Sequence, residues 1–287
     1  MSHLLAVAAV VLVLLSLAFT PGLPAQEAVQ TQQTTGSQRT GGEVIGRSVE
    51  GRPISVRTVG DGPRSVLVIG GIHGGYEANS IRLARRLFEH YRAEPARLPA
   101  DVTLHVIDNM NPDGLHRVTG GTPVDEFDFR SANTVPGRFN ARWVDLNRNW
   151  DGDWQPTSYW GTRVVDAGDA PFSEPETRAV REYFRQIEPV VSVFYQSAAA
   201  GLWYSGAEDG WEPSRRLAAA YSSASGYPLP EEQDGGPVDY EITGSADDYF
   251  YRIGHPNLTV ELTTHYDIEW ERNLAGFRAL LGALDVQ

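Results

Sequence analysis

The chain has 287 residues, a formal net charge of −13 and no cysteine. The acidity excludes a nucleic-acid-binding surface, because no basic patch is available to neutralise phosphates. The missing cysteine excludes disulfides, thiolate metal ligands, a cysteine nucleophile and lipidation at sulfur. Every cationic side chain is an arginine, which reads as genomic composition and carries no functional weight.

Residues 4–19 are an apolar run broken only by Ser16, followed by small and turn residues in TPGLPAQ. The run is shorter than the about twenty apolar residues a spanning helix needs. It reads as an export signal over residues 1–25, cleaved near Ala25, and the protein as secreted or extracytoplasmic. The n-region lacks the usual Lys or Arg and has only His3, so an uncleaved membrane anchor is the alternative. Residues 26–42 are rich in Gln, Thr, Ser and Gly and read as a flexible linker, since they offer almost no apolar surface to offset ordering. The folded domain is expected over residues 43–287.

Within it, strands and helices alternate. ISVRTVG reads as a strand, GDGPRS as a turn, and SVLVIGG as a strand buried on both faces. Residues 78–91 repeat apolar side chains at helical spacing. VTLHVID is a second central strand, closed by NMNPDG. Residues 115–170 carry Gly, Asp and aromatics with little periodicity, which suggests long loops over a site. A helix is expected to start at Ser173, with Pro175 in its first turn. VVSVFYQS is another buried strand, residues 211–224 a helix, NLTVEL a strand and residues 268–284 a final amphipathic helix. This alternation predicts a single α/β domain on a mixed, mostly parallel twisted sheet with helices on both faces. In such folds ligands bind beyond the carboxyl ends of the strands. His73, Asn111, Gln196 and Glu261 all stand at or just past such ends.

His73 and Glu77 in GGIHGGYE, NPDG, GRFNARWVDLNRNW, PFSEPET, VFYQS and VEL follow one another in an order that resembles the M14 family of zinc metallocarboxypeptidases, including its bacterial murein-peptide amidase branch. DLNRN with its following aromatic is the most specific piece. The resemblance implies one zinc per chain held by His73, Glu77 and the residue at position 196. It places Asp145 behind His73 as the acceptor of the second imidazole N–H, a common arrangement for ligating histidines. Glu261 takes the place of the general base, passing a proton from water to the leaving amine. Arg138 takes that of the arginine that holds the oxyanion, with Arg142 near enough in sequence to exchange roles with it. Asn147 and Arg148 match the pair that grips a terminal carboxylate, for which the guanidinium fork is suited. Tyr240 is the candidate for the tyrosine that closes over substrate, and residues 244–248 are expected to line the side-chain pocket. Asp247 and Asp248 there suggest a basic or amine-bearing substrate group, though two acids at a helix start are as natural.

Two departures stand out. The first motif is usually H-x-x-E, whereas His73 and Glu77 are four apart. The third ligand is usually a histidine, and Gln196 stands there instead. An amide oxygen is neutral and a poorer zinc donor than imidazole. Three readings follow: a working site with a Gln ligand, a weakened site that still binds peptides, or recruitment of another histidine such as His265 or His116. The expected function is a monomeric, secreted zinc peptidase that hydrolyses a C-terminal peptide or cell-wall peptide amide bond, with no membrane association once the signal is removed. Its substrate carries a free C-terminal carboxylate. The alternative is a non-catalytic peptide- or carboxylate-binding protein on the same fold.

Overall fold

The structure is a computed structural model, and it describes residues 42–232 and 240–284. The signal and linker readings therefore lie, apart from Gly42, outside the described residues. In chain order the strands are β1 (Glu43–Arg47), β2 (Pro53–Val59), β3 (Arg64–Ile69), β4 (Val102–Ile107), β5 (Thr157–Trp160), β6 (Arg163–Asp166), β7 (Val191–Ser197), β8 (Gly201–Tyr204) and β9 (Asn257–Leu262). The helices are α1 (Ala78–Ala93), α2 (Pro112–Thr119), α3 (Pro175–Ile187), α4 (Glu212–Ser225), α5 (Ala246–Arg252) and α6 (Trp270–Ala283).

Seven strands form one mixed sheet in the order β1-β2-β4-β3-β7-β9-β8, and β5 and β6 form a separate hairpin. The four central strands run parallel, and antiparallel strands close both edges. The centre is parallel because its strands are apolar on both faces. Val66, Leu67, Val68 and Ile69 are all fully buried, each stabilising the fold by roughly 1.5–3 kcal/mol relative to exposure. Val66 and Val68 join α1, α4 and α6 in one core, while Leu67 and Ile69 join Trp150, α3 and α5 in the other. Helices thus cover both faces, as expected. Among the described residues no helix is long and apolar enough to cross a membrane.

Several elements lie where the sequence reading had loops. NPDG opens α2: the Asn111 side chain accepts from the Gly114 N–H at 2.8 Å, and Pro112 takes the first helical position. The region 115–170 contains the β5–β6 hairpin. The α3 cap is Glu174, one residue later than Ser173, with Pro175 first in the helix. The short edge strands β1 and β8 were also unforeseen.

Candidate active site

Beyond β3 the chain enters a tight 3-10 turn over Gly74–Glu77 before α1 begins. Gly74 has φ +46, and a Cβ there would lie 2.8 Å from the Gly137 carbonyl and 2.9 Å from that of Asn111. Only glycine fits. This turn absorbs the extra residue between the two candidate ligands, so that His73 Nδ1 and Glu77 Oε1 lie 2.8 Å apart and both are buried.

The second imidazole nitrogen, Nε2, is 3.3 Å from Asp145 Oδ1. That is ion-pair distance without hydrogen-bond alignment, and among the described residues Nε2 has no other partner. Asp145 also accepts from Arg138 Nε at 2.9 Å and from the Asn147 N–H at 3.0 Å. Burial works against its charge, but Arg138 and His73 outweigh burial and hold the carboxyl below the ordinary range. Arg138 Nη1 reaches to 3.4 Å of His73 Nδ1 and 3.7 Å of Glu77 Oε1, and its guanidinium lies over the Trp160 ring. Arg142 instead turns outward, more than half exposed, toward Glu174 at 3.5 Å. Of the two arginines, Arg138 lines the cleft and Arg142 does not.

Gln196 and Glu261 are cross-strand neighbours on β7 and β9. Gln196 Oε1 accepts from Asn147 Nδ2 at 3.4 Å, a long contact. The next residue, Ser197, donates its backbone N–H to Glu77 Oε2 at 3.2 Å, tying the end of β7 to the His73–Glu77 turn. Glu261 has a buried Oε2 with no partner among the described residues. Burial, and after it the charge of Glu77, push its carboxyl up to about 8.

Arg148 is buried, with Nε and Nη2 on the Tyr159 carbonyl and Nη1 on the Asn147 carbonyl. Among the described residues no carboxylate lies within ion-pair reach of it, and burial lowers its pKa. Its neighbour Asn147 is fixed by the Ala246 N–H, which donates to Asn147 Oδ1 at 3.1 Å.

His73, Glu77, Arg138, Asn147, Arg148, Gln196, Tyr240 and Glu261 line one cleft of about 780 Å³, with Asp145 behind them. Asp247 and Asp248 line it too. Asp247 accepts from Asn257 Nδ2 at 2.5 Å and Thr259 Oγ1 at 2.9 Å, and burial pushes its carboxyl up to about 7. Asp248 accepts from Ser245 Oγ at 2.7 Å at the start of α5. Sequence reasoning missed Tyr76 and Trp160, which pack edge to face at 5.2 Å on the cleft wall. Tyr76 was readable as the extra residue beside Glu77, whereas Trp160 gave no local signal.

The candidate donors suit a divalent cation. A nitrogen, a carboxylate oxygen and an amide oxygen come from adjacent strand ends, and a cation held there would offset the charge of Glu77 that acts on Glu261. The two other candidate histidines are placed differently, His265 on the cleft wall and His116 outside it. Among the described residues no three His, Cys, Asp or Glu side chains group as a metal site. His265 Nδ1 is engaged by Ser197 Oγ at 3.0 Å, and His116 sits on α2 away from the cleft. Gln196, which lines the same cleft, stays the candidate third donor.

Comparison with known proteins places this fold and site. The family model described as zinc carboxypeptidase (Peptidase_M14) matches residues 26–277, and the chain belongs to that family. It is 30% identical over 169 residues to the rat carboxypeptidase N catalytic chain, covering 52% of this chain and 35% of the relative. It is 29% identical over 153 residues to mouse carboxypeptidase A6, covering 50% and 34%. The chain thus matches about a third of the length of these relatives. Similar folds include the murein-tripeptide amidase MpaA from Escherichia coli O157, with TM-score 0.59, 23% identity and 88% and 94% of the two chains covered. Bovine thrombin-activatable fibrinolysis inhibitor, solved with tick carboxypeptidase inhibitor, aligns with TM-score 0.63, 18% identity and 85% and 87% covered.

Proposed function

We propose that the protein is an exported, zinc-dependent metallocarboxypeptidase that removes a C-terminal residue from a peptide, a cell-wall peptide included. The observation that supports this best is the meeting, in one cleft, of the His73–Glu77 pair, a Glu261 carboxyl whose buried Oε2 has no partner, and a buried guanidinium at Arg148 with no carboxylate partner among the described residues.

His73, Glu77 and Gln196 would hold one zinc, which supplies Lewis acidity to water and to the scissile carbonyl. The chain's own groups do the rest. Arg148 and Asn147 take the terminal carboxylate, which compensates a buried cation and selects chain ends. Arg138, braced by Asp145, presents Nη1 where negative charge develops on the carbonyl oxygen. Glu261, whose buried Oε2 has no partner among the described residues, accepts the proton of the attacking water and delivers it to the leaving amine. Tyr240 closes over the bound residue. Asp247 at the inner end of the cleft favours a basic or amine-bearing side chain on the residue released.

The test pairs metal analysis with a substrate comparison. About one zinc per chain, and hydrolysis of free-acid peptides but not of their C-terminal amides, are expected. Equal turnover of free and amidated peptides would refute the exopeptidase reading, and a zinc-free, inert protein in zinc-replete medium would leave a peptide-binding protein.

A further inference from the structure

A second cavity, of about 340 Å³, lies between α1, residues 127–130 and residues 265–268. His265 is common to its wall and to that of the catalytic cleft, and it stacks against Tyr76 at 4.4 Å. Asn79 fastens the two together: it accepts from Ser197 Oγ at 3.0 Å and donates to the carbonyls of Thr264 at 2.6 Å and Asp267 at 3.1 Å.

The cavity has an aromatic floor and a cationic rim. Phe127 and Phe129 pack edge to face at 4.8 Å, and Arg82, Arg86 and Arg130 stand around them. The local acids are largely committed. Asp128 Oδ1 accepts the Arg130 backbone N–H at 3.1 Å, and Asp125, outside the cavity, pairs with Arg82 and Arg85 at 3.3 and 3.2 Å. Arg130 lies over Tyr266 and has only a 3.6 Å contact with Asp267, both side chains being 64% exposed. Arg86 lies over the Trp270 ring, and among the described residues it has no carboxylate partner. Stacked guanidinium groups keep their in-plane N–H donors free. With Arg82 paired to Asp125, Arg86 and Arg130 are the guanidinium groups left to meet an anion here.

We propose that this cavity is an upstream subsite for a carboxylate on the retained, amino-terminal part of the substrate. The assignment rests on the peptidase reading, which fixes direction. The released residue lies toward Arg148 and Asp247, so the retained chain leaves past Tyr76 and His265 and arrives at the arginines. The substrate class is therefore a peptide acidic upstream of the cleaved bond.

The experiment uses the zinc-loaded full chain and neutral peptides with free C-termini, in which one Glu is walked upstream position by position, with Gln and Lys controls. At one position Glu should lower KM about tenfold relative to Gln, and added salt should shrink that gain. Arg86→Glu, a change at an exposed site, should reverse the order of Glu and Lys at that position while leaving the melting temperature near that of the parent. Glu and Lys peptides within about twofold of each other at every position, or an order unchanged in Arg86→Glu, would overturn the assignment. If no peptide is hydrolysed, calorimetric binding of the same series decides. Preference for Glu at one position keeps the subsite and removes the peptidase reading, and equal or absent binding removes the subsite.

Discussion

The two ends of the catalytic cleft differ in how fully their charges are answered. Around His73, Asp145 faces an arginine and an imidazole, Glu77 is held by the Ser197 N–H, and Arg138 is held by Asp145. At the other end, among the described residues, Arg148 has only carbonyl partners and Asp247 only an amide and a hydroxyl. The first end is preorganised: each group fixes the next before anything binds, which is what electrostatic catalysis requires. The second holds buried charge in reserve for a ligand to compensate. Mutations at the first end should therefore act on chemistry, and mutations at the second on binding.

The sharpest break in this comparison is Glu261→Gln. Its orphaned Oε2 belongs to the chemical end, and an amide cannot accept the water's proton. Turnover should fall by about 10²–10⁴-fold with zinc content near that of the parent. Loss of zinc together with activity, measured by metal analysis, would make Glu261 a ligand and redraw the chemical end.

Arg148→Ala tests the other end. Removing charge-assisted hydrogen bonds to a substrate carboxylate costs about 3 kcal/mol, or roughly 100-fold in kcat/KM. The loss should appear with free-acid peptides and be nearly absent with amides. An equal loss on both would mean that Arg148 only braces the β5–β6 hairpin through its bonds to the Tyr159 carbonyl.

How much of this was legible in the sequence varies by element. The strand ends carrying His73, Gln196 and Glu261 were readable because fully buried parallel strands show as unbroken apolar runs. The mixed edges were not, because β8 is four residues with a glycine in it and β1 is largely exposed. The α2 start had its cap and proline in plain view, but NPDG satisfies a turn equally well. Ser245 likewise caps α5 by accepting from the Asp248 N–H, a signal too short to separate from a loop. In the site, residue types and order identified the candidates. Only three dimensions could separate Arg138 from Arg142, since that choice depends on which side of a loop faces inward, and only they could reveal that Arg148 lacks an anion.

Gln196→His sharpens the chemical end. If position 196 donates to the metal, imidazole should tighten zinc binding by about 10- to 100-fold. Gln196→Ala should weaken it. Competition with a chelator reads both. Indistinguishable affinity in parent, Ala and His variants would place residue 196 outside the coordination shell and leave its amide as a partner of Asn147 alone.

Asp247→Asn has the smallest expected effect, and it probes the reserve of charge by stability. Burial raises this carboxyl from 3.8 to about 7, so between those values the folded state holds a proton that the unfolded chain has released. Stability from this group is therefore present below about pH 4, falls as pH rises through the window and levels off above 7. The asparagine variant, neutral throughout, should match the parent near pH 4 and exceed it at pH 8 by roughly 2–4 kcal/mol. Urea unfolding at the two values, with zinc saturating in both proteins, measures the difference. If the gap does not widen with pH, Asp247 is ionised without penalty, which requires a cationic partner that is not among its contacts. The binding end would then not hold uncompensated charge. If it does widen, a peptide with a basic C-terminal side chain should reduce the gap, because such a ligand supplies the cation that the fold withholds.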